Sequence, residues 1–187
     1  DFKFFQENYA GFRPLEIAIT AKNGYKVTDY EVALEIEKLT THLEKIETIG
    51  NLQSPNLPYK IINKANHLNK SDYLRLPEDK ATYIKYQKDA NKLARKQLGR
   101  FVNQAKDKAR INAKLQDVGT DSLKRLYAHI ERFAKVATDT TKMQVRVTGK
   151  SMLLDKNSEY IRKSLLEGLL YGFIIIGVIM DFVLRYI

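Results

Sequence analysis

Residues Gly168 to Met180 form an uncharged run of thirteen residues, and no other feature constrains the possible folds as strongly. Glu167 and Asp181 bracket the run, and Arg185 follows. Thirteen residues alone suit a buried core helix. The apolar surface extends past both carboxylates, through Leu165 and Leu166 on one side and Phe182, Val183 and Leu184 on the other. Leu165 to Leu184 is twenty residues, about 30 Å of helix at ~1.5 Å per residue, enough to cross a bilayer. The central run is apolar all round, unlike an amphipathic surface helix. The reading is therefore a transmembrane helix at residues 157–187; a buried hairpin helix of a soluble protein is the competing one. Gly168 and Gly172 make a G-x-x-x-G pair, with Gly177 five residues further on. Small residues at this spacing let membrane helices approach closely, so Gly168, Gly172 and Gly177 are the candidate packing positions.

The rest of the chain is polar. Charged residues make up 29% of the whole, too many for a protein that crosses the membrane repeatedly within this length. Before the apolar run, two periodicities alternate. Leu15, Ile17, Ile19 and Ala21 face one way and Glu16, Ala18 and Thr20 the other, a half-buried strand that Asn23-Gly24 ends. Thr28 or Asp29 then caps a helix over 29–46, with Val32, Ile36, Leu39, Leu43 and Ile46 on one face. Ile49 to Gln53 is a short, weak strand stopped by Ser54-Pro55. The middle is helical: Tyr59 to Leu68, then Glu78 to about Phe101 after the Leu76-Pro77 break. The second of these helices is basic (Lys85, Lys88, Lys92, Arg95, Lys96, Arg100) and sparsely apolar, with Ile84, Leu93, Leu98 and Phe101.

The first pattern then recurs. Ala109 to Leu115 alternates as a strand, Gly119-Thr120-Asp121 turns into a helix at 121–137, and Met143 to Val147 alternates again. That helix carries a stripe of Leu123, Leu126, Tyr127, Ile130, Phe133 and Ala137. Two strand-helix-strand units around a helical insert predict an α+β fold. It is a ferredoxin-like split β-α-β domain over 1–156, with the insert at about 58–105, followed by the transmembrane helix. A helix from about Asn157, capped by Asp155 or Asn157, leads into the apolar run without a glycine or proline between Lys150 and Glu167. The chain opens at Asp1 without a signal peptide and reads as an internal piece of a longer polypeptide.

Little in the sequence points to covalent chemistry. There is no cysteine, which excludes disulfides, thiolate metal sites and cysteine nucleophiles. His42, His67 and His129 are far apart in sequence and have no ligand partner at helical spacing, so they read as helix-surface or boundary residues. No metal site and no cofactor are expected. Gly149-Lys150-Ser151 resembles the end of a phosphate-binding loop, but Gln144 stands where the upstream glycine is required. The net charge of +10 attracts anions, either nucleic acid or acidic lipid. The basic helix matches no nucleic-acid reader motif and shares its chain with a membrane helix. It reads as a solvated face, with no nucleic-acid partner. Glu167 and Asp181 lie close to the ends of the apolar segment, within reach of the interface, and read as boundary residues.

Several segments carry a family resemblance. Phe4-Phe5-Gln6-Glu7-Asn8-Tyr9-Ala10-Gly11-Phe12-Arg13-Pro14-Leu15-Glu16-Ile17 resembles the segment by which exporters of the resistance-nodulation-division (RND) superfamily, MMPL-like branch, leave a transmembrane helix and enter an extracytoplasmic loop. Leu52-Gln53-Ser54-Pro55 and Tyr73-Leu74-Arg75-Leu76-Pro77 match in order. Val147 through Tyr160 is similar to the family's lead-in to the next membrane helix, with Ser158 in place of its second asparagine. The resemblance covers essentially the whole chain. It implies a proton-driven exporter fragment in a bacterial inner (cytoplasmic) membrane. The porter domain would be extracytoplasmic, lining or gating the path of a lipid-like or hydrophobic substrate. Its partners would be the membrane, the remaining transmembrane helices and a second porter domain of the same transporter. No residue here matches the family's proton-relay carboxylates, so no catalytic site is implied and the chain is not expected to be an enzyme. The alternative class is a membrane-anchored binding or scaffold domain whose basic helix contacts anionic lipid or an acidic partner.

Overall fold

The computed structural model describes residues 13–93, 95–116, 118–148 and 150–185. Its elements run β1 (Arg13–Ala21), α1 (Tyr30–Glu44), β2 (Ile49–Gln53), α2 (Leu57–Asn66), a 3-10 turn (Ser71–Tyr73), α3 (Lys80–Leu93), α4 (Arg95–Phe101), β3 (Lys108–Leu115), α5 (Thr120–Ala137), β4 (Met143–Thr148) and α6 (Lys150–Arg185). The first nine residues of the opening motif, 4–12, lie outside the described residues.

The four strands form one antiparallel sheet in the order β2-β3-β1-β4. β1 is central: Ile17 pairs with Ile111 of β3 on one side and with Val147 of β4 on the other. β1 and β2 therefore run the same way with β3 between them, so α1 crosses over one intervening strand. The period-two pattern sets which face is covered. Leu15, Ile17, Ile19, Ile111, Leu115, Met143 and Val147 are buried, while Glu16, Ala18 and Thr20 are half-buried on the opposite face. β2 is the faint strand for a physical reason. It is a five-residue edge strand whose pairing slips between Gly50 and Gln53, where Asn51 adopts φ 48°.

α1 and α5 lie against each other and cover the apolar face, α1 through Val32, Ile36, Leu39 and Leu43, α5 through Leu123, Tyr127 and Ile130. The α5 stripe shifts at its last turn. Ala134 is buried there, and Phe133 turns instead toward α1. Asp29 occupies the cap position of α1, yet its carboxylate accepts the Lys26 amide at 2.8 Å and makes no cap hydrogen bond. Gly119 precedes α5 at φ 81°, a left-handed conformation that costs a glycine little.

The insert forms a second apolar cluster rather than a loose polar excursion. Tyr59, Leu76, Tyr83, Tyr86, Ala90 and Leu98 bury together with Ala33 from the outer edge of α1. The sequence reading gave this helix a sparse face containing Ile84. The structure exposes Ile84 and buries Tyr83, Tyr86 and Ala90, which fall on one face at helical spacing. Tyrosine buries its ring while its hydroxyl finds a polar partner. Here the Tyr83 hydroxyl donates to the Thr28 carbonyl at 3.3 Å, and that of Tyr30 donates to the Glu78 carbonyl at 2.7 Å. Gln87 also donates to the Thr28 carbonyl, and Lys80 pairs with Glu31 at 2.6 Å. The two proline motifs lie on either side of α2 in the chain, and Ser54, Asn56 and Leu76 there are buried.

The chain divides into two compact units between residues 149 and 150. The second is α6, which begins at Lys150 rather than near Asn157. Asp155 and Asn157 are therefore inside the helix and not its caps, a correction to the sequence expectation.

Candidate functional site

The apolar helix is the first candidate. Residues Asn157–Arg185 make a 29-residue helical stretch that contains an 18-residue window of mean hydropathy 2.0, none of that window buried within the chain. Leu169, Leu170, Phe173, Ile174, Ile175, Ile176, Val178 and Ile179 all expose more than half of their surface. An exposed apolar surface of this length and evenness matches a hydrocarbon environment rather than water. Its charges are handled locally. Lys163 lies 3.9 Å from Glu167, and Arg185 lies 3.9 Å from Asp181, each one helical turn apart. Each bracketing carboxylate thus has a basic partner on the side away from the apolar run.

The glycines of this helix differ in placement. At about 100° per residue, Gly172 lies close to the Gly168 face, whereas Gly177 lies on the opposite side. A Cβ added at any of the three would meet nothing within 4 Å. All three positions are open to a neighbouring helix.

The basic helix shows its charges to solvent. Lys85, Lys88, Lys92 and Arg100 are exposed, opposite the tyrosine face. Nearby, a mixed polar and apolar cleft of about 800 Å³ opens between the β1–α1 connection and the end of the insert. Thr28, Asn91, Leu98, Val102, Asn103 and Lys106 line it.

The histidines depart from the sequence reading. His67 stacks on Tyr73 and its Nδ1 lies 2.8 Å from the Asn63 carbonyl, a local arrangement within the insert. His42 of α1 and His129 of α5, although 87 residues apart, face each other with Nε2 atoms at 3.1 Å. The His42 ring also stacks flat on Phe133, with centroids 3.6 Å apart and planes 5° from parallel. They are a pair, not two independent surface residues, and no local spacing could have announced it. The groove beside them, about 550 Å³, is lined by Leu34, Glu37, Lys38, Thr41, Lys45 and Phe133. Desolvation lowers the His42 pKa below the usual histidine value, and the His129 ring and the Lys45 charge add to the effect.

Among the described residues no cluster of three or more His, Asp or Glu side chains is placed to hold a metal. The described residues form a folded α+β unit and an apolar helix. No curated protein matches the chain. The sequence model of one family, the MMPL family, matches residues 3–187, which takes in both the folded unit and the helix.

Proposed function

Because the chain belongs to the MMPL family of RND-type membrane transporters, we propose that it is the porter domain and following transmembrane helix of a proton-driven exporter. The observation that carries this reading is the continuity of the match across residues 3–187, spanning a polar α+β unit and an exposed apolar helix. Residues 1–156 form the extracytoplasmic porter domain, with a helical insert over about 58–105, and residues 157–187 carry the chain into the bacterial inner membrane. The order β2-β3-β1-β4, with α1 and α5 against each other, supports the ferredoxin-like split arrangement for this domain.

The domain lines or gates the path of a lipid-like or hydrophobic substrate and performs no covalent chemistry. Its partners are the other transmembrane helices and the second porter domain of the same transporter. Gly168 and Gly172 offer a close-packing seam to one neighbouring helix, and Gly177 meets a different one.

The absence of cysteine in this segment provides the test. Lys88 is exposed on the insert, so Lys88→Cys in the full-length protein supplies a new reactive thiol there. A membrane-impermeant maleimide added to intact cells labels this thiol above the unsubstituted background. Export of a hydrophobic dye by the same protein stops when a protonophore collapses the proton gradient. Labelling only after lysis, or export indifferent to the protonophore, overturns the reading.

A further inference from the structure

Two neutral imidazoles that meet Nε2 to Nε2 have two chemical options. One nitrogen carries the proton and donates to the other, or a metal ion takes the proton's place between them. His42 and His129 have this geometry at 3.1 Å. With metal–nitrogen bonds of about 2.0–2.1 Å, nitrogens this far apart subtend roughly 98° at the ion, between an octahedral and a tetrahedral angle.

Three further observations bear on the pair. The His42 ring is clamped flat against Phe133, which fixes its orientation before any ion arrives. His129 is exposed and His42 half-buried, so water reaches the remaining coordination positions. The rings come from α1 and α5, the two helices that cover the sheet, so a shared ion would fasten one to the other. The charges lining the groove are Glu37, Lys38 and Lys45, all on α1. Lys38 pairs with Glu35 at 2.8 Å, and Glu37 is occupied by Lys60 and Asn56. Lys45 opposes a dication, which disfavours hard ions that bind by charge alone.

We propose that His42 and His129 form a two-imidazole site for a divalent d-block ion, of the Zn²⁺, Ni²⁺ or Cu²⁺ class, which bridges α1 and α5. The remaining ligands are water, so the ion exchanges readily and is acquired from the medium. Imidazole nitrogens favour these ions over Mg²⁺ and Ca²⁺, whose preference is for oxygen. Both nitrogens must be unprotonated to ligate, so acid expels the ion. The site lies on the folded unit and does not depend on the transport reading.

The test uses the untagged full chain in detergent micelles, titrated with Zn²⁺ and with Mg²⁺ at about pH 7.5 and about pH 5.5. The expected result is one Zn²⁺ per chain at the higher pH, with a raised melting temperature, and neither effect at the lower pH or with Mg²⁺. His42→Gln and His129→Gln each weaken binding by about tenfold or more, while His67→Gln leaves it unchanged. Both substitutions keep the helix, and the unliganded melting temperature reports whether either has unfolded the chain. Cu²⁺ bound to the wild-type chain gives an electron paramagnetic resonance spectrum with coupling to two nitrogens, a readout that does not require a variant. Absence of Zn²⁺ binding at the higher pH, binding that survives both His42→Gln and His129→Gln, or a Cu²⁺ spectrum without two-nitrogen coupling overturns the proposal.

Discussion

The Glu35 carboxylate, buried on α1, accepts the backbone N–H of Asp139 at 3.0 Å across 104 residues of sequence. Its other oxygen takes Lys38 at 2.8 Å. Asp139 begins the turn from α5 into β4, so a single side chain of α1 satisfies a donor at the far edge of the sheet. Removing it leaves a backbone donor that water reaches poorly. Glu35→Ala should lower stability by about 1–3 kcal/mol in urea melts, and Glu35→Gln should restore part of that because its amide oxygen still accepts. Equal stability of the alanine variant and the wild type would show the contact to be idle.

The pH response of the folded unit should fall into two windows. His42 has a folded pKa below its ordinary value of about 6.5, so the unfolded chain binds the proton more readily. Its contribution is complete above that value and is lost as the pH falls below it. Asp139 is held at about 2 by hydrogen bonds from Thr141 and Lys142, against 3.8 ordinarily. Its contribution is present above the ordinary value and disappears only as the pH falls toward the lower one. Melting temperatures in metal-free buffer should show a first decline beginning near neutrality, removed by His42→Gln, and a second below about pH 4, removed by Asp139→Asn. A first decline that persists in His42→Gln assigns it elsewhere.

The insert should unfold from α1 when its aromatic anchor is cut away. Tyr83 is 1% exposed, with ring centroids 4.7 Å from Tyr59 and 5.3 Å from Tyr30. Tyr83→Ala should cost about 3–5 kcal/mol, the usual range for emptying an aromatic site. Tyr83→Phe keeps the ring, loses the hydroxyl bond to the Thr28 carbonyl, and should cost about 1 kcal/mol. Limited proteolysis should then cut the alanine variant first between residues 57 and 101. Cleavage that begins elsewhere would mean the insert does not rest on this residue.

The legible and the illegible parts separate by the range of the information. β1, β3 and β4 were legible because alternation at Leu15-Ile17-Ile19, Ala109-Ile111-Ala113 and Met143-Val145-Val147 is a local consequence of a one-sided sheet. α1 and α5 were legible for the matching reason at helical spacing. The core face of α3 was hidden because its buried residues are tyrosines and an alanine, which aliphatic periodicity passes over. Tyr83, Tyr86 and Ala90 at spacings of three and four carry the signal once they are counted. The early start of α6 was missed because Asp155 and Asn157 look like caps, and the stretch from Lys150 to them contains no other marker. The His42–His129 pair was out of reach, since it exists only once two helices distant in sequence lie side by side.

α6 is continuous from Lys150 to Arg185, through the lead-in and the apolar run alike. A helix without a break can transmit motion along its axis, and proline removes that property at a cost of about 3 kcal/mol or more. Ser164→Pro or Leu166→Pro in the full-length transporter should therefore depress transport, while the amount of protein in the membrane stays as before. Normal export rates in both proline variants would refute the mechanical role.

The position of β1 at the centre of the sheet also governs the order of events at the ribosome. β1 is synthesised first of the four strands, yet both of its neighbours come late: Ile17 waits for Ile111 and for Val147. The Glu16–Thr148 pairing closes a loop of about 130 residues, a long-range contact of the kind that slows folding. Until β3 arrives, the newly made chain presents Leu15, Ile17 and Ile19 on a strand with two unsatisfied edges, the form most prone to pair with a stranger. The last strand is complete at Thr148, shortly before the first greasy residues of α6 are made. Nascent chains therefore pass through a long vulnerable interval that ends only when the last strand is made, and holdase chaperones should matter more to this protein than its finished stability suggests.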